Sequence, residues 1–131
     1  MNKWMLFAAL SFSSIAYGNE ALSVETPLPS NLQLAFPNES NIQPEESSFV
    51  VESVVPMSNE LGERWAVVTL RNSVSGRRTL NHKHLMALVA DGTRLHPEPF
   101  TQSFLANESL SIVVNFGLRK FPLLDVYSRE E

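Results

Sequence analysis

From Ser48 onward, the chain consists of short runs of β-branched, aliphatic and aromatic residues separated by turn residues. The turns recur at intervals of roughly ten residues, a spacing typical of all-β sandwiches and barrels. No run repeats its apolar residues with helical periodicity for more than about two turns. The pattern therefore predicts an all-β domain of short strands joined by tight turns.

The turn residues divide this region into a series of predicted strands. Pro56 and Gly117 are predicted to end two of them, because proline lacks a backbone donor and glycine interrupts the alternation. Successive strands joined by short turns pair antiparallel. We therefore expect a small immunoglobulin-like antiparallel β-sandwich of about seven strands, with a small barrel as the alternative. The predicted strands are residues 49–55, 65–70, 85–90, 93–96, 100–105, 110–116 and 121–127.

The apolar residues also indicate which strands lie in the core. Leu85–Ala90 is apolar throughout, as in a central strand that is covered on both faces. The Asp91-Gly92 pair predicts a hairpin turn after this strand. Trp65 is expected to anchor the core, facing Val67 and Leu110. The sixth predicted strand alternates, with Leu110, Ile112, Val114 and Phe116 on one face.

Residues 1–18 have the pattern of a secretory signal peptide. Lys3 gives the amino-terminal region its positive charge, and Trp4–Leu10 is an uninterrupted apolar run. Ala16 and Gly18 are small residues at the two positions that a signal peptidase recognises. The apolar stretch is shorter than the about 20 residues that span a bilayer. We therefore expect an exported protein, either periplasmic or secreted or at the cell surface, with no transmembrane helix in the mature chain; an uncleaved membrane anchor is the minority alternative.

The next segment, residues 19–47, is acidic and contains four prolines. It carries five acidic residues and no basic residue, whereas residues 48–131 carry nine of each. We expect residues 19–47 to form an extended linker or tail before a domain at 48–131, with Leu32–Phe36 able to add a strand to a sheet edge. Since the domain is formally neutral, nucleic acid is not expected as a partner.

The chain has no cysteine, which excludes disulfides, thiol nucleophiles and a lipid-modified amino-terminal cysteine. Small secreted eukaryotic domains usually contain disulfides. Export without cysteine therefore favours a protein of the bacterial cell envelope.

Basic residues are concentrated between Glu63 and Asp91, where the chain has no acidic residue. On a loop at one end of a sandwich they would form a binding surface for an envelope protein, an anionic glycan or a lipid headgroup, since guanidinium groups grip carboxylates and phosphates. A solvated loop is the alternative. The predicted binding residues are Arg71, Arg77, Arg78, His82, Lys83 and His84.

His82, His84 and Met86 also suggest a second function. At alternate positions on a strand they would share one face, and imidazole and thioether ligands suit copper. Met57 and His96 are candidates to complete the site. A periplasmic copper-binding protein is therefore the alternative prediction, and otherwise no cofactor is expected.

Nothing in the sequence has the pattern of a known catalytic motif. The carboxylates are scattered near turns, and a small sandwich has little room for a deep pocket. We therefore predict a non-enzymatic accessory module that assists a secretion, pilus or surface assembly, with a small envelope hydrolase as a residual alternative.

The predicted last strand contains Pro122 and is followed by charged residues, which is typical of a sheet edge.

Overall fold

A computed structural model describes residues 22–28 and 42–130, and this part of the chain is all-β. Its strand pairs are antiparallel except for β2 with β11. The only helical element among the described residues is the 3-10 helix His82–His84. The strands are β1 (Ser23–Val24), β2 (Glu46–Ser47), β3 (Phe49–Ser58), β4 (Glu63–Asn72), β5 (Arg78–Asn81), β6 (Met86–Val89), β7 (Arg94–Leu95), β8 (Thr101–Phe104), β9 (Ser109–Leu118), β10 (Leu123–Tyr127) and β11 (Arg129–Glu130).

The larger sheet has four strands in the order β1-β3-β4-β9. Alternation along β4 buries Ala66, Val68 and Leu70 on its inner face. On β9 the predicted alternation is confirmed, since Val114 and Phe116 are buried and their neighbours Ile112 and Leu110 pack against the core. β-Branched and aromatic residues suit a half-buried pleated surface of this kind.

The second sheet has the order β10-β6-β7. All four residues of β6 are buried, which confirms the prediction of a central strand. The predicted hairpin after β6 is also present: Gly92 has a φ of 91°, and the Asp91 carboxylate accepts a hydrogen bond from the Thr93 N–H. Both sheets contribute side chains to one hydrophobic core, which gives a sandwich-like arrangement.

A pair of short strands, β5 and β8, extends this core. Leu80 of β5 and Phe104 of β8 are fully buried, and the Phe104 ring lies 4.9 Å from that of Phe49. The sequence interpretation placed residues 78–81 in a loop, and this was wrong. Leu80 is the only apolar residue of β5, so the strand carries no alternation that a pattern search detects.

Pro56 and Gly117 lie inside strands rather than ending them, contrary to prediction. The Pro56 carbonyl accepts a hydrogen bond from the Glu25 N–H, so the side of Pro56 that lacks a donor faces the outer segment, residues 22–28, and not β4. Gly117 lies in a bulge of β9, because three steps along β9, from Asn115 to Leu118, match two steps along β4. Its φ of 79° explains why glycine occupies the position.

Trp65 is only half-buried and does not face Leu110. It pairs with Asn115 on the outer face of the larger sheet, whereas Leu110 pairs with Leu70 on the inner face. The prediction of a core tryptophan was wrong because the alternation along β4 directs Ala66 and its even-numbered neighbours inward.

The described parts of the acidic segment contact the sheets. Residues 22–28 run along the edge of β3, where Glu25 forms an ion pair of 3.4 Å with Arg64 and Leu28 packs against the core. At the end of the acidic segment, β2 (Glu46–Ser47) pairs in parallel with β11. The predicted signal peptide and Leu32–Phe36 lie outside the described residues. Within the described ranges, no helix has the length and apolar character needed to cross a bilayer.

Candidate functional site

Arg71 lies apart from the other predicted basic residues. It is on the outer face of β4, opposite Ser109 of β9. Its Nε is 3.3 Å from Oε2 of Glu52, so its charge is compensated locally by a carboxylate of the neighbouring strand. The Arg71 side chain therefore contributes to the outer face of the larger sheet and not to a basic cluster.

Arg77 and Arg78 are exposed at the start of β5. The Arg78 Nη1 donates a hydrogen bond to the Arg77 carbonyl oxygen, and neither side chain forms an ion pair with another described residue. Since a strand rises about 3.3 Å per residue, β5 separates Arg78 from His82 by roughly 13 Å. The predicted basic cluster is thus divided between the two ends of β5.

The far end of β5 continues into the 3-10 helix His82–His84, not into a strand. Asn81 caps this helix: its side-chain oxygen accepts a hydrogen bond of 2.8 Å from the Lys83 N–H. In return, the His84 Nδ1 accepts one of 3.0 Å from the Asn81 N–H. This reciprocal cap explains why a polar Asn-His-Lys-His sequence turns here.

The 3-10 helix forms one wall of an open groove of about 550 Å³, which we call the histidine groove. β5 pairs with β8 through Asn81 and Thr101, which places Phe100 opposite His82 and Lys83. A backbone hydrogen bond of 2.9 Å from Glu45 to the Lys83 carbonyl positions the acidic segment at the rim. The lining consists of Glu45, residues 81–83 and residues 99–101.

His84 lies behind the groove against the core, with its ring 5.8 Å from that of Phe49. Burial lowers the pKa of His84 below its usual value, Glu45 opposes this shift, and His82 reinforces it. The neutral form is also the one whose Nδ1 can accept the Asn81 hydrogen bond. His84 therefore stabilises the shape of the groove and does not line it.

The geometry assumed for the copper site is wrong. Residues 82–84 are helical, so His82 and His84 do not alternate along a strand, and Met86 is fully buried in β6. The His82 ring lies instead 6.3 Å from that of His96, whose Nδ1 is 2.8 Å from the Leu85 carbonyl oxygen. No group of three or more histidine or carboxylate side chains that could hold a metal occurs within the described ranges.

A second concave surface was not predicted. This β3–β10 cleft has a volume of about 420 Å³ and lies between residues 50–54 of β3 and residues 125–128. Its sequence signal is the acidic residue within each of two mostly apolar strands, Glu52 in β3 and Asp125 in β10. Sequence alone does not bring these strands together, because the contact joins the beginning and the end of the domain.

Comparisons with known proteins give no family for this chain. No family model, no curated protein and no solved structure matches it.

Proposed function

We propose that this chain is an exported, non-enzymatic binding module of the bacterial cell envelope that holds an acidic glycan in its histidine groove. Its domain would be an immunoglobulin-like β-sandwich in the periplasm or at the cell surface. There it would act as an accessory to a secretion, pilus or surface assembly. Among the partners that the sequence suggested, the chemistry of the groove favours the glycan.

The observation that carries this proposal is the combination of groups in the groove. Lys83 is exposed and forms no ion pair with another described residue, so its ammonium group is free to meet an anionic ligand. Phe100 offers an apolar ring on the opposite wall, and Glu45 offers an acceptor for hydroxyl groups. An apolar surface with a few placed polar groups is the usual composition of a small-molecule site. A sugar ring that carries a carboxylate or phosphate matches all three features.

The open shape of the groove favours a polymer over a small isolated ligand. Its walls are the short helix and the loop before β8, and Glu45 stands at the rim. A chain of sugar rings can lie across such a surface with only one or two units in contact. Export is supported by residues 1–18, a bacterial rather than a eukaryotic origin by the absence of cysteine, and a non-enzymatic role by the scattered carboxylates.

Binding of the mature chain, residues 19–131, to a soluble polyuronate tests the proposal by calorimetry. We expect Lys83→Glu to weaken binding by at least about tenfold, because it replaces an attractive charge with a repulsive one. Lys120→Glu is the matched control: it makes the same charge change on a lysine that does not line the groove. This control variant should bind as the wild type does.

Two outcomes would contradict the proposal. One is binding that Lys83→Glu and Lys120→Glu weaken equally, since this would indicate net charge and not a site. The other is equal affinity for the polyuronate and for its neutral methyl ester. His82→Ala provides an additional check, because it should weaken binding while leaving the Asn81–His84 cap intact.

A further inference from the structure

The β3–β10 cleft lies between two strand edges. Within the described ranges, β10 is the outermost strand of its sheet, and β1 pairs with the facing edge of β3 only at Met57 and Ser58. At one end of the cleft, the Leu28 N–H donates a hydrogen bond to the Val54 carbonyl oxygen. At the other end, the Ser128 hydroxyl donates one of 2.7 Å to the Phe49 carbonyl oxygen.

The same edge of β3 already accepts an extended piece of chain. Residues 22–28 lie along it, and the N–H groups of Glu25 and Leu28 donate hydrogen bonds of 2.9 and 3.2 Å to the carbonyl oxygens of Pro56 and Val54. Leu28, the last described residue of this piece, also lines the cleft. A strand that entered the cleft would therefore continue an arrangement that the fold itself uses.

The side chains of the cleft combine apolar walls with an excess of negative charge. The half-buried Val50 and Val51 supply apolar surface, and the buried Val54 and Val126 also line the cleft. Among the described residues, three carboxylates line the cleft and no lysine or arginine does; the carboxylates belong to Glu52, Asp125 and Glu130.

Two arginines next to the cleft compensate part of this charge. Arg71 lies 3.3 Å from Glu52. Arg94 attracts Asp125 and donates a hydrogen bond of 2.7 Å to the Tyr127 hydroxyl. Burial nevertheless raises the pKa of Asp125 above its usual value, and Glu130 forms no ion pair with another described residue. The cleft therefore favours a cationic ligand.

We propose that the β3–β10 cleft binds an extended, basic segment of a partner protein as an added β-strand. The backbone of the segment would pair with a strand edge, and its apolar side chains would contact the valines. A lysine or arginine side chain would reach Asp125 and Glu130. This site is separate from the histidine groove, so the cleft can bind a protein whether or not the groove binds a glycan.

The test uses the mature chain and a short labelled peptide of alternating valine and threonine with one central lysine, compared with the same peptide carrying glutamate. Fluorescence polarisation should show at least about tenfold tighter binding of the lysine peptide. Hydrogen exchange should show that this peptide protects amides of residues 50–54 and 125–127. The protection is measured on the wild-type chain, so it does not depend on any variant folding.

Charge variants then locate the selectivity. Asp125→Asn with Glu130→Gln should reduce the preference for lysine to less than about threefold. The matched control, Glu60→Gln with Glu98→Gln, removes two acidic charges outside the cleft and should retain the preference. Loss of the preference in both double variants would overturn the proposal, because it would show a general charge effect.

Other results would also overturn it. These are equal binding of the two peptides, no binding of either, or protection of amides elsewhere. If a second copy of the chain covers the cleft instead, sedimentation will show a concentration-dependent dimer that the peptide does not dissociate.

Discussion

Asn72, at the end of β4, is a fully buried amide that connects three loops. Its Oδ1 accepts a hydrogen bond of 2.9 Å from the Ser48 hydroxyl, and its Nδ2 donates to the carbonyl oxygens of Gly76 and Leu105. Polar groups that are buried need such partners, since water cannot replace them. Asn72 therefore fixes the end of the domain from which β5 begins.

Replacing Asn72 with alanine should lower the free energy of unfolding by about 2–4 kcal/mol, because the buried Ser48 hydroxyl and two carbonyl oxygens in part-buried hydrogen bonds lose their partner. Urea denaturation measures this change. Gln102→Ala is the control, since the Gln102 amide donates an exposed hydrogen bond to the carbonyl oxygen of its neighbour Ser103. It should change stability by less than about 0.5 kcal/mol. Equal losses in the two variants would show that Asn72 has no special structural role.

His84 should make stability depend on pH. Because the pKa of His84 is lowered in the folded state, the unfolded chain takes up a proton first as pH falls below about 6.5. Stability therefore decreases with falling pH in the window between about 6.5 and the lowered folded pKa. Urea midpoints measured across this window should decrease less in His84→Gln than in the wild type. Parallel curves would contradict this account of the cap.

Among the strands, the bulge at Gly117 is a test of local backbone geometry. Alanine at this position must adopt a φ of 79°, although its added methyl group has space, with Glu98 Oε2 at 3.6 Å. We expect Gly117→Ala to cost about 1–2 kcal/mol in unfolding free energy. Gly76→Ala should cost less, because its backbone is not left-handed and its nearest neighbour, at 3.1 Å, is the mobile end of Arg78. A smaller loss at Gly117 than at Gly76 would contradict the bulge.

The long strands could be predicted from sequence and the short ones could not. β3, β4 and β9 each have ten residues, enough to display an apolar alternation. β1, β2 and β11 have two residues each, too few to display an alternation. Each is formed by pairing with a strand that is distant in sequence. The prediction that Pro56 and Gly117 end strands was wrong because proline is tolerated where its missing donor faces an outer segment, and glycine is tolerated in a bulge.

The candidate site was only partly predictable because it also depends on pairing between strands that are distant in sequence. His82 and Lys83 were identified from composition and do line the histidine groove, but Phe100 reaches them only through the pairing of β5 with β8. Arg71 does not lie with the other predicted basic residues, because it contacts Glu52, 19 residues earlier in the chain, across the sheet. Sequence spacing identified the residue types; long-range pairing determined which of them meet.

For the chain as a whole, export should depend on the small residues before position 19. In a bacterial host, mass spectrometry of the secreted or periplasmic protein should show an amino terminus at Asn19. Ala16→Asp should prevent cleavage and leave the precursor associated with cells. Tyr17→Phe, at the position between the two small residues, should be processed normally. An intact Met1 on folded cytoplasmic protein would contradict the proposed location.

We propose that the histidine groove, and not the overall charge of the molecule, binds the acidic glycan. Nuclear magnetic resonance of the labelled mature chain, titrated with a uronate oligosaccharide, can distinguish the two. We predict that the shifted amides lie at residues 81–84 and 99–101 and that they saturate together. Shifts that are absent there, or that centre on residues 50–54 and 125–128, would contradict it.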